Sequence, residues 1–99
     1  MNSLNLEITS KAKVDIESIL DYIAKDNKNA AQKLLNRFYK SLDTLCRHPE
    51  LGTRRPDFTY RNVRFYIVKK HYLIIYILKG DLLRILRVLP AYQDICALL

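Results

Sequence analysis

The apolar residues of this chain change their period twice, and those changes leave few architectures open. From Lys11 to Lys25, Ala12, Ile16, Ile19, Leu20 and Ile23 recur at spacings of three and four. That spacing lays one apolar stripe along a helix. Asp26-Asn27-Lys28-Asn29 reads as a turn, with Asn29 placed to cap a second helix running to about Arg47. Its stripe is Ala31, Leu34, Leu35, Phe38, Leu42 and Leu45. Pro49 ends it, because the residue before a proline resists helical angles. Beyond the Pro49–Asp57 loop the pattern becomes strand-like. In Arg61–Val68, Val63, Phe65 and Ile67 alternate with Arg64, Tyr66 and Val68. Tyr72–Leu78 is apolar on both faces, as a central strand should be. Leu82–Leu89 is rich in Leu, Ile and Val. Lys69-Lys70-His71 and Lys79-Gly80-Asp81 are short enough to be hairpin turns. At the other end Leu4, Leu6 and Ile8 alternate with polar residues in a short strand, followed by Ser10 as a helix cap.

Each helix has to bury its stripe, and the sheet supplies the flat apolar surface for it. The expected fold is therefore α+β: an N-terminal strand, then an antiparallel helical hairpin packed on a mainly antiparallel sheet that ends in a three-strand meander. Ninety-nine residues fit one domain, taken as residues 1–99, and can bury a core without metal or disulfide. The opening ten residues lack a basic start and an apolar block, so no signal peptide is expected. The longest apolar run, Tyr72–Leu78, is too short to span a membrane. Cys46 and Cys96 are distant and without a histidine cluster, which argues against a metal site. Cys46 falls on the apolar side of the second helix and reads as a buried thiol. No cofactor is implied, and a reducing cytoplasm is the expected compartment.

Charge divides the chain. The formal net charge is +7, with eight Lys/Arg against seven Asp/Glu in residues 1–50 and nine against three in residues 51–99. Such asymmetry predicts an anionic companion for the second half, nucleic acid or an acidic protein segment. Simple solvation of a basic surface is the alternative. His48 and His71 sit in turns, Ser10, Ser18 and Ser41 have no evident base, and there is no Gly-rich phosphate loop.

Five local patterns, in order, extend this reading. They are Ala12-x-x-Asp15-Ile16-x-x-Ile19-x-x-Tyr22-Ile23, His48-Pro49-Glu50-Leu51-Gly52-x-x-Arg55, Arg61-x-x-Arg64, Tyr72-x-Ile74-x-Tyr76, and Arg87-Val88-Leu89 with Asp94 downstream. With this element order the chain resembles the ParE branch of the ParE/RelE toxin superfamily along nearly its full length. The resemblance implies the toxin of a bacterial type II toxin–antitoxin system. It implies a cognate ParD-like antitoxin with an acidic amphipathic segment, DNA gyrase as the target, and no membrane partner. Direct nucleic-acid binding stays open. Many relatives carry His-Gly-x-Arg-Asp after the last strand, where this chain has Pro90-Ala91-Tyr92-Gln93-Asp94.

The resemblance also implies an alternative, a RelE-like ribosome-dependent mRNA endoribonuclease. Such cleavage needs a proton acceptor, a proton donor and cations at the phosphate. The strand arginine of those nucleases falls on Leu73, their later arginine near Ala91 and their C-terminal tyrosine near Ala97, with Tyr92 as a substitute. Only Arg64 matches. The chain is therefore expected to bind rather than catalyse. A non-toxic antitoxin-binding module is the remaining class. Arg54, Arg55, Arg61, Arg64, Arg84 and Arg87 are candidates for a groove that meets the antitoxin or target. Arg61 and Arg64 lean to the partner-facing role. Arg87, embedded in a strand, leans to a structural one with a carboxylate such as Asp94. Tyr22 and Tyr39 are candidates for a rim against which an antitoxin helix packs, or plain core edge. Tyr66, Tyr72 and Tyr76 would stack on bases if the sheet were open, or lie half-buried. The last strand and tail, Arg84 to Leu99, are expected to help contact gyrase, with Tyr92 a further antitoxin- or target-binding candidate.

Overall fold

In the computed structural model, which describes residues 4–54 and 63–91, each stripe and run becomes an element. The order is β1 (Asn5–Ile8), α1 (Ser10–Ala24), α2 (Lys28–Arg47), a 3-10 turn (Pro49–Leu51), β2 (Thr53–Arg54), β3 (Arg64–Val68), β4 (Tyr72–Lys79) and β5 (Leu82–Pro90). Both helix caps fall earlier than the sequence suggests. Thr9 rather than Ser10 caps α1, its Oγ1 accepting from the Ala12 N–H at 3.2 Å. Asn27 rather than Asn29 caps α2, through Ala30 N–H at 3.0 Å. The Thr9 hydroxyl also donates to the Ile85 and Leu86 carbonyls. A threonine thus closes the helix and ties it to β5, which serine one residue later does not do.

The five strands run β1-β5-β4-β3-β2, with β1 parallel to β5 and the rest antiparallel. β4 lies in the middle, as its two-faced apolarity requires. The loop expected after α2 contains β2, paired with β3 through Thr53↔Phe65 and Arg54↔Arg64. Arg61, expected within the following strand, lies outside the described residues. No described helix is long and apolar enough to cross a membrane.

Alternation sorts the strands into two faces. Leu34, Phe38, Leu42 and Leu45 of α2 and Ala12 of α1 pack with Ile74, Tyr76, Leu83, Ile85 and Val88, joined by Tyr66 and Tyr72. The Phe38 and Tyr72 rings meet edge to face at 5.7 Å. Tyr66, Tyr72 and Tyr76 are therefore committed to the helix side rather than to an open sheet. The opposite face carries a second apolar cluster of Val63, Phe65, Leu73, Ile75 and Leu89.

β5 is bulged. Ile75 pairs with Arg87 and Tyr76 with Ile85, so Leu86 is an extra residue. The bulge inverts the alternation: Leu83 and Ile85 face the helices before it and Val88 after it. Arg87 and the Val88 N–H, neighbours in sequence just past the bulge, reach one carboxylate, that of Asp15 on α1. Arg87 Nε and Nη2 donate to Asp15 Oδ2 and Oδ1 at 2.7 and 2.9 Å, and Val88 N to Oδ2 at 3.0 Å. The side chains are only 23% and 13% exposed. Arg87 thus takes the structural role with Asp15 as its carboxylate, while Asp94 lies outside the described residues. The hydrogen bond to Asp15 raises the Arg87 pKa above the ordinary arginine value. Arg84 turns instead to Glu7 of β1, in a more exposed pair.

A second anchor holds the 3-10 turn. The Tyr76 hydroxyl donates to Pro49 O at 2.6 Å and accepts from Gly52 N at 2.8 Å. Arg64, opposite Tyr76 in register, donates to Gly52 O at 2.8 Å. A Cβ at Gly52 would stand 2.3 Å from the Tyr76 oxygen, so glycine is required here for space.

Two expectations follow. Asp15→Asn leaves a mostly buried guanidinium without its counter-charge and costs about 3 kcal/mol, whereas Arg84→Gln costs under about 1 kcal/mol; equal losses in urea unfolding would discount the clamp. Burial pushes the Tyr76 hydroxyl up, against the opposing pull of the Gly52 N–H and Arg64. The folded tyrosine therefore keeps its proton where the unfolded one, ordinary pKa about 10, has lost it. Stability should fall as pH rises beyond about 10, and Tyr76→Phe should weaken the fold by about 1–2 kcal/mol at neutral pH while flattening that decline.

Candidate functional site

α1 and the bulged end of β5 do not close on each other along their whole length. Between them, and roofed by the β3–β4 turn, is an open cleft of about 940 Å³. That volume is within the range of small binding sites. One wall is α1, contributing Asp15, Ser18, Ile19, Tyr22 and Ile23 at helical spacing. The other is Tyr72 with Arg87 to Ala91, and Lys70 and His71 stand at the mouth. The floor is apolar through Ile19, Ile23, Tyr72 and Val88. The Asp15–Arg87 clamp sits in the wall, so its two charges are already answered.

The turn at the mouth is built against local preference. Lys69 and Lys70 both have positive φ, 53° and 64°, the pattern of a tight hairpin turn that ordinarily takes Asn-Gly. A non-glycine residue held there costs about 1 kcal/mol or more. The turn is held by His71 N to Val68 O at 3.1 Å and by Ala91 N to His71 O at 2.8 Å. It projects cationic side chains at the entrance of an apolar cleft. Gly80, by contrast, meets the same demand in the β4–β5 turn at no cost, with φ 61°.

Among the described residues, the arginines expected to share a groove are not brought together. Arg87 is engaged by Asp15, Arg84 by Glu7, and Arg64 by the backbone carbonyls of Gly52 and Glu50. Arg54 is exposed at the opposite sheet edge from β1. Arg55, Arg61 and Tyr92 lie outside the described residues. Tyr66 is half-buried under the helices. Tyr22 is 75% exposed and lines the cleft, while Tyr39, 59% exposed, lies in a separate shallow groove on α2. The two tyrosines do not form one rim. Lys70 and His71 were legible only as a turn; what the sequence does not show is that the meander brings that turn beside α1.

Cys46 is buried, and desolvation together with the nearby Asp43 charge raises its thiol pKa, the setting of an inert packing cysteine. Among the described residues no group of three or more His, Cys, Asp and Glu is placed to hold a metal.

Known proteins give this geometry its context. The solved structure described as the chromosomal ParDE TA system from P. aeruginosa matches with a TM-score of 0.74, covering 89% of this chain and 96% of that chain at 23% identity. At that identity the likeness bears on the fold. Comparison with the curated proteins gives no match. The family model for the ParE toxin of the type II toxin-antitoxin system, parDE, spans residues 6–95, nearly the whole of the two helices and five strands just described, and the chain belongs to the ParE toxin family.

Proposed function

We propose that this chain is a cytoplasmic toxin that acts by binding DNA gyrase and is silenced by a ParD-like antitoxin seated in the cleft between α1 and β5. The observation that carries the antitoxin site is the cleft's chemistry: an apolar floor, an exposed tyrosine on α1 and a lysine turn at the mouth. An amphipathic segment with an acidic flank complements all three, apolar residues filling the floor and carboxylates meeting the turn. The ParDE description of the P. aeruginosa structure supports a partner of this kind.

Binding is favoured over RNA cleavage by what occupies the expected catalytic positions. Leu73 is buried in the far-face cluster, and Arg64 is bonded to backbone carbonyls. Neither arrangement offers a proton acceptor or a free cation to a scissile phosphate.

The test is a gyrase supercoiling assay with antitoxin titrated in. Supercoiling should fall and cleaved DNA accumulate with micromolar toxin, and stoichiometric antitoxin should restore activity. Toxin carrying Tyr22→Ala and Lys70→Glu should inhibit equally but need at least tenfold more antitoxin for rescue. No inhibition at micromolar toxin removes gyrase as the target, and unchanged rescue of the variant removes the cleft as the antitoxin site.

A further inference from the structure

A row of exposed cations lies on α2, in the half of the chain whose net charge is near neutral. α2 carries five basic residues, Lys28, Lys33, Arg37, Lys40 and Arg47, against Asp43 alone. At about 100° per residue, Lys33, Arg37, Lys40 and Arg47 fall within an arc of about 80° opposite the buried stripe, over about 21 Å of helix. All four are exposed. Asp43 is answered by Arg47 at 3.4 Å, and Lys33, Arg37 and Lys40 have no ion pair among the described residues. Asn36, Tyr39 and Asp43 complete the shallow groove they line, which shares no residue with the cleft on α1.

We propose that this outer arc of α2 docks on the phosphate backbone of double-stranded DNA, without preference for sequence. Charge complementarity argues for a polyanion, and the composition of the arc argues for a nucleic acid over an acidic protein. A protein partner gains its affinity from buried apolar anchors, and apart from Tyr39 this arc offers none. Phosphate contacts need only Lys and Arg, with Asn and Tyr as further donors. A straight row of cations on a rigid helix suits a regular duplex backbone. Because the arc and the cleft share no residue, a toxin whose cleft is filled still presents it.

Fluorescence anisotropy with a short labelled duplex and a scrambled twin, read over a range of salt, tests this on the full chain. Both duplexes should bind alike. The triple variant Lys33→Gln, Arg37→Gln, Lys40→Gln should bind more weakly, its plot of log K against log salt shallower by about three, one per lost phosphate contact. A control of equal charge loss, Lys11→Gln, Lys13→Gln, Lys25→Gln, should keep its slope within about one of the parent. Circular dichroism should show all three proteins folded, since every substituted side chain is exposed. Failure of the parent to bind at low salt, equal losses in the two variants, or displacement of the duplex by polyglutamate at matched charge would each overturn the proposal.

Discussion

The carboxylate of Asp15 is the point on which this structure turns. It accepts from both arms of the Arg87 guanidinium and from the Val88 N–H, a charge-assisted fork in a largely desolvated setting. The bulge at Leu86 adjoins this arrangement, setting Val88 on the helix side beyond it. So does Thr9, whose hydroxyl caps α1 while bonding the carbonyls of Ile85 and Leu86 beside the bulge. Cap, bulge and ion pair together fix how α1 crosses the end of β5. The cleft is what that crossing leaves open.

The same clamp explains why basicity and reach are different properties here. Arg64, Arg84 and Arg87 sit in the half of the chain with most of the excess charge, yet each is held by a partner within the fold. Arg64 braces the 3-10 turn beside Tyr76, and Arg87 braces α1. Among the described residues, exposed side chains include Lys70 at the strained turn, Tyr22 on α1 and the cations along α2. Arg64, Arg84 and Arg87 thus serve the fold, while the exposed Lys70, Tyr22 and α2 cations lie on the elements laid over the sheet and on its hairpin.

Much of this fold was legible in the residues. The two stripes with three-and-four spacing gave both helices, and the two-faced run Tyr72–Leu78 gave the central strand. Gly80 marked its turn. What was not legible has physical causes. A bulge leaves no trace in an alternating pattern until the partner strand is known, so the inverted faces were not visible, and the Asp15–Arg87 pair joins residues 72 apart, which leaves no local signal. A two-residue strand such as β2 carries too little sequence for periodicity. Lys69 and Lys70 lack the glycine or asparagine that announces a turn of positive φ. The cation row on α2 was hidden by averaging, because the acids of β1 and α1 cancel it in the sum over residues 1–50 although they lie on other elements. The family resemblance was carried by residues that are mostly structural, Asp15, Gly52, Tyr76 and Arg87 among them, which is why it pointed to the fold more surely than to the site.

The opening that the clamp maintains is the proposed seat of the antitoxin. Amide hydrogen exchange of the free chain and of its complex with the antitoxin measures this directly. Slower exchange in the complex for residues 18–23 of α1 and 69–71 of the β3–β4 turn is the predicted result. A stable complex in which those amides exchange as in the free chain, with protection confined to the β2–β3 edge, would contradict it.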